Sequence, residues 1–149
     1  MLQPKQLNNL SSLRLRYDNK FVPCHSNIGD ELFRNGVFEF NISKLIEYLQ
    51  SDTSDVPLEQ VSTNRFPAEF SSIDEKHLES VSLDMPVIIA EIAPQRYNLI
   101  DGHHRMEKAR RAGVETLLCH TLNVTQHVNF LTTREAYDDY VKYWNGKFQ

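Results

Sequence analysis

Apolar and polar positions alternate along this chain with two periods, and the switches between them mark out its elements. From Asn41, the residues Ile42, Leu45, Ile46 and Leu49 fall at i, i+3, i+4 and i+7. That spacing predicts a helix with one buried face, capped by Asn41 and ending near Ser51. The polar run Ser51 to Asp55 is a loop, and Val56 to Val61 (VPLEQV) reads as a strand that Pro57, lacking an N–H, sends to a sheet edge. Ser72 and Glu75 form a capping-box pattern for a helix through about Ser82, with Ile73, Leu78 and Val81 turned inward. Pro86 bars helix before Val87 to Ala93 (VIIAEIA), a β-branched run predicted to be a central strand. Pro94, Gln95 and Arg96 supply a turn, so that Tyr97 to Ile100 returns as the second arm of a hairpin.

A helix from His103, with Met106 and Ala109 on its inner face, runs to Gly113, a residue suited to a left-handed C-terminal position. Thr116 to Leu122 (TLLCHTL) is another strand. Thr132 with Glu135 then caps a last helix, whose Tyr137, Tyr140, Val141 and Trp144 make an aromatic stripe, core or dimer seam, closed by Gly146. The order helix, strand, helix, hairpin, helix, strand, helix predicts an α+β fold: a single compact domain over residues 41–149 with a small mixed sheet flanked by helices. Residues 1–40 carry the weakest pattern, with Asn27, Gly29, Asn35 and Gly36 as loop punctuation, and are expected to form an N-terminal arm or extension. The segment Ser62 to Phe70 is an irregular connection.

Composition narrows the function classes. The chain has 149 residues, a net charge of −4, and an ordinary balance of 40% hydrophobic and 24% charged positions. An acidic total argues against nucleic acid as a partner, and the Arg14, Arg16, Lys20 cluster reads as a solvated face. Cys24 and Cys119 are too few for a disulfide framework, which points to a reducing, cytoplasmic setting. No apolar run approaches the roughly eighteen residues of a membrane span, and the first residues hold no apolar core of a secretion signal.

Chemistry concentrates in Tyr97 to Gly113, YNLIDGHHRMEKARRAG. A strand runs into Asp101 and Gly102, the glycine permits a tight turn, and a helix opens with His103, His104 and Arg105. The free N–H groups and positive dipole end of a new helix favour an anion. Arg105 offers a planar fork for phosphate, and His104 a ring N–H. Lys108 and Arg111, one turn apart, read either as a basic rim or, more simply, as a solvated face. His103 and His104, even with Cys119 and His120, make a poor zinc set, because neighbours on a helix diverge by about 100° and neighbours on a strand point to opposite faces. No protein metal site is expected.

At Asp101 to Arg105 the chain resembles the ParB/sulfiredoxin superfamily, small α+β domains in which a hairpin strand ends in a Gly-x-x-Arg box at the start of a helix. The likeness spans Val56 to Leu122. Sulfiredoxins carry Gly-Cys-His-Arg, so Gly102, His104 and Arg105 match while His103 stands in place of the redox cysteine. Partition proteins carry Gly-Glu-Arg-Arg, of which only Gly102 and Arg105 remain. The box is nearest to the Asp-Gly-His-His-Arg of the free serine kinase branch. That resemblance implies a phosphate site at Gly102, His103, His104 and Arg105 for ATP or ADP with Mg, or for a phosphorylated small molecule. It also implies a catalytic carboxylate, for which Asp101, Glu59 and Glu69 are the candidates with Asp101 first, and it leaves His103 as a residue of the chain's own chemistry. A nucleotide- or phosphate-binding domain, and a small phosphotransferase within that class, is the leading expectation. The alternatives are a non-catalytic regulatory or interaction module, in which a homo-oligomer remains open, and a ParB-like nuclease or DNA-associated protein.

Overall fold

This computed structural model describes residues 14–35, 38–66 and 73–148. Their fold is α+β, with a two-stranded and a four-stranded sheet and five α-helices among the described residues. Contacts divide the chain into two compact units, the described parts of Met1–Ser54, Glu91–Tyr97 and Leu122–Gln149 in one and Asp55–Ala90 with Asn98–Thr121 in the other.

The first unit begins with a segment that lies along the last helix of the chain. Leu15 and Asn145 exchange two hydrogen bonds (2.7 and 3.0 Å), and Phe21 stacks on Tyr137 with ring centroids 3.9 Å apart. Strands β1 (Leu32–Asn35) and β2 (Phe38–Asn41) pair antiparallel, with Phe33 opposite Phe40. The sequence pattern does not announce this ribbon; only its second strand is largely buried. Asn41 ends β2 and caps α1 (Ile42–Leu49), its side chain accepting the Lys44 N–H as the sequence predicts. The helix stops two residues before the expected Ser51.

Helix α4 (Val124–His127), which the sequence reading passed over, starts on a capping box of Asn123 and Gln126 and continues as a 3-10 turn over Val128–Phe130. Helix α5 (Arg134–Asn145) is capped by Thr133, one residue later than the expected Thr132. Thr133 is extended and accepts the Ala136 N–H, whereas the Thr132 hydroxyl is committed to Glu39 at 2.7 Å. The aromatic stripe is core, not an exposed seam: Tyr140 and Trp144 are fully buried with Phe40, Leu45 and Leu131.

The second unit is organised on the four-stranded sheet. Its strands are β3 (Leu58–Ser62), β4 (Val87–Ala93), β5 (Arg96–Asp101) and β6 (Thr116–Leu122), in the order β3-β6-β4-β5. The tip of the β4–β5 hairpin, Glu91–Tyr97, counts with the first unit. Strand β3 lies at an edge and β4 inside, as read from Pro57 and from the β-branched run; all seven residues of β4, Glu91 included, are buried. Strand β3 begins two residues later than predicted and pairs antiparallel with β6, Glu59 facing Cys119.

Helix α2 (Glu75–Ser80) is shorter than expected and is capped by Asp74, whose carboxylate accepts the Lys76 N–H at 3.0 Å. Ser72, the predicted cap, lies outside the described residues, as does Glu69. Helix α3 (His103–Arg111) begins where the sequence places it and closes on Gly113 at φ +75°. No helix among the described residues is long and apolar enough to cross a membrane.

Candidate functional site at the head of α3

The turn between β5 and α3 is built on a glycine at a position where any side chain would be strained. Gly102 sits at φ +99°, a conformation that costs an L-residue with a Cβ. A Cβ there would also stand 2.6 Å from Val87 Cγ1. The close approach of β4 to the turn and the left-handed backbone together fix this residue.

Gly102 is the N-cap of α3 and offers no side chain to the helix. Helices α1, α2, α4 and α5 each have a side-chain cap, from Asn41, Asp74, Asn123 and Thr133. The first α-helical bond of α3 is Met106 N–H to the Gly102 carbonyl at 2.9 Å. The N–H groups of His103, His104 and Arg105 therefore precede the intrahelical ladder, and the N-cap residue gives them no side-chain acceptor.

Arg105 and Asp101 form a pair across this turn. The Arg105 Nη2 donates to Asp101 Oδ2 at 3.0 Å and to the Pro86 carbonyl at 3.2 Å. Both side chains are nearly buried, 13% and 12% exposed. Arg105 Nε is buried with no hydrogen-bond partner among the described residues, leaving one donor of the guanidinium unsatisfied.

His104 has one ring nitrogen engaged within the protein. Its Nε2 accepts the backbone N–H of Asp74 at 3.0 Å, and its ring meets His77 edge-on with centroids 4.5 Å apart. His103, at the first helical position, is half-buried.

Glu59 does not join these residues. It is exposed on β3, and two strands, β6 and β4, separate β3 from the strand that carries Asp101. Three inter-strand spacings make that gap about 14 Å, too far for a shared proton or metal. The structure thus gathers Asp101, Gly102, His103, His104 and Arg105 and leaves Glu59 apart. It adds three residues that the sequence reading did not assign: Asp74 and His77 from α2, and the carbonyl of Pro86.

The basic residues farther along α3 are engaged. Lys108 donates to the carbonyls of Glu79 (3.1 Å) and Val81 (2.7 Å), closing the end of α2. Arg111 takes Glu75 with two bonds and Glu107 with a third. Arg110 pairs with Glu107 and ties the carbonyls of Thr63 and Phe66. Burial pushes the Glu107 carboxyl up, but the bonds from Arg111 and Arg110 outweigh it and hold the group below its usual range. Neither a basic rim nor a freely solvated face describes this side of the helix.

Among the described residues, no three His, Cys, Asp or Glu side chains are grouped to hold a metal ion. Cys119 is buried, which pushes its thiol up, and His120 Nδ1 lies 3.3 Å from the Pro57 carbonyl. Compared with known protein families, curated proteins and solved structures, the chain finds no match.

Proposed function

We propose that this chain is a phosphate-binding domain of the ParB/sulfiredoxin-like kind, taking a nucleotide such as ATP or ADP, or a phosphorylated small molecule, at the head of α3. The observation that carries the reading is the start of that helix on left-handed Gly102 without a side-chain cap. Main-chain N–H groups and the dipole favour an anion at such an end, and Arg105 lies in its first turn with one donor unsatisfied. The DGHHR box supports the same reading through its resemblance. Magnesium would arrive with the nucleotide, held mostly by phosphate oxygens and water, and Asp101 is the carboxylate at hand for it. Both cysteines are free thiols, which suits a cytoplasmic setting.

Asp101 favours a second reading. Its carboxylate is held by Arg105 at 3.0 Å, so service as a base or metal ligand requires that pair to open. A module that binds without turnover needs no such opening. Calorimetric titration with ATP, ADP, CTP and inorganic phosphate, with and without magnesium, tests the proposal. Saturable binding is expected, weakened about tenfold or more in Arg105→Ala through loss of charge-assisted bonds. Absence of heat at millimolar nucleotide, or equal affinity in the variant, refutes it. Product assays with Asp101→Asn then separate the readings: a phosphotransferase loses turnover, whereas a binding module has none to lose.

A further inference from the structure

We infer that His104 is a latch between α3 and the start of α2, closed only while its ring is neutral, so that charging the ring releases the N-terminal end of α2. The inference stands on the direction of one hydrogen bond. Asp74 N–H can only donate, so His104 Nε2, 3.0 Å away, must present its lone pair, and the ring proton sits on Nδ1. An imidazolium carries protons on both nitrogens. On charging, two donors would face each other across that distance, and the bond cannot persist.

Helix α2 has reason to depend on this contact. At six residues it is too short to hold itself, and its stability comes from packing and anchors. Leu78 is buried, Lys108 binds the carbonyls at its C-terminal end, and Arg111 binds Glu75. At its N-terminal end, His104 receives the backbone N–H of the cap residue itself. Arginine and lysine keep their charge throughout the physiological range, whereas an imidazole changes it there.

The charged and titratable groups on the elements around the ring are Asp74, Glu75, Lys76, His77 and Glu79 at α2, His103, Arg105, Glu107, Lys108, Arg110 and Arg111 of α3, and Asp101 at the end of β5. Among them His77 stands edge-on to His104 and needs its own control. The link to a ligand rests on the phosphate reading above. A phosphate dianion at the head of α3 favours the charged ring. Occupancy of the turn and docking of α2 then oppose each other, and each weakens the other by the same factor.

The test is NMR on the full-length, nitrogen-labelled chain, titrated from about pH 8 to about pH 5, the range in which imidazole titrates. At the alkaline end we expect a proton on His104 Nδ1 and a through-bond coupling between the Asp74 amide nitrogen and His104 Nε2. At the acid end the coupling disappears and the exchange protection of the Asp74 amide, corrected for intrinsic rate, falls about three- to tenfold, the worth of one hydrogen bond. His104→Phe keeps an aromatic ring against His77 but has no acceptor, so Asp74 should be unprotected at both ends. His77→Phe should leave the response in place.

Equal protection of Asp74 at both ends, a proton on Nε2 at the alkaline end, or loss of the response in His77→Phe would overturn the latch. Adding millimolar inorganic phosphate should move the midpoint of release to higher pH, and binding without that movement would overturn the link to the ligand. If phosphate leaves the His103 to Arg105 amides unchanged, the phosphate reading fails by itself. The ligand-free titration still decides the latch.

Discussion

In the core of the first unit, the Nε2 of His127 lies 2.6 Å from the Glu91 carbonyl and must donate to it, whereas at the turn of the second unit the same atom of His104 accepts from Asp74. The neutral rings therefore carry their proton on opposite nitrogens. Their surroundings differ as much. His127 is wholly buried, edge-on to Phe40 and beside Tyr140, and its Nδ1 has no partner among the described residues. Burial pushes its pKa down to about 4. His104 is half-exposed, and taking a proton costs it one hydrogen bond. A titrating ring sealed in a core ties acid to the stability of the fold; one at a surface turn ties acid to a local contact.

Acid should break the comparison most strongly at His127. Above its unfolded pKa of 6.5 the ring is neutral folded and unfolded, and makes no pH-dependent contribution. As pH falls below that value the unfolded chain takes up a proton that the folded core refuses, so stability declines until about pH 4, where the folded ring also protonates. The loss is about 3 kcal/mol over that window. Urea unfolding at a series of pH values measures it, and His127→Gln should show a shallower acid slope than the parent.

A smaller effect belongs to the turn. Gly102→Ala should cost about 2 kcal/mol, because the added methyl meets Val87 and the backbone is left-handed. Trimming Val87 as well should remove the clash but leave the backbone cost, which thermal unfolding of the single and double variants would separate. Smaller still is Thr133→Ala, which strips the cap of α5 and should lower stability by about 1 kcal/mol. The head of α3 has no side-chain cap to lose, so a substitution at Gly102 acts through backbone shape and the contact with Val87.

Where burial imposes a period, the sequence was a good guide. The β-branched run from Val87 to Ala93 gave β4 to the residue, and the helical spacing after Asn41 gave both the cap and the buried face of α1. Caps misled where neighbours compete: Thr132 and Thr133 are equally fit by type, and backbone dihedrals with a bond to Glu39 decide between them. The ribbon β1–β2 is too short to show an alternation. At the candidate site, Asp101 to Arg105 were legible because they are contiguous. Asp74, His77 and Pro86 come to them across chain separations of 19 to 30 residues, and nothing in their types foretells the meeting. Glu59 was one candidate for the carboxylate that the resemblance implies, and the strand order sets two strands between it and the strand of Asp101.

Six of the nine side chains of α3 are basic in type, a density that on a charge plot looks like a hook for a polyanion. In the folded chain its four permanent cations already have protein oxygens: Asp101 and Pro86 for Arg105, carbonyls for Lys108, Glu107 and carbonyls for Arg110, Glu107 and Glu75 for Arg111. A nucleic acid meeting this helix would have to compete with those carboxylates and carbonyls for each cation. The entropy of ion release that drives such association is therefore largely forfeited. The helix holds its own unit together with the charges that, in an open chain, would have advertised it to others.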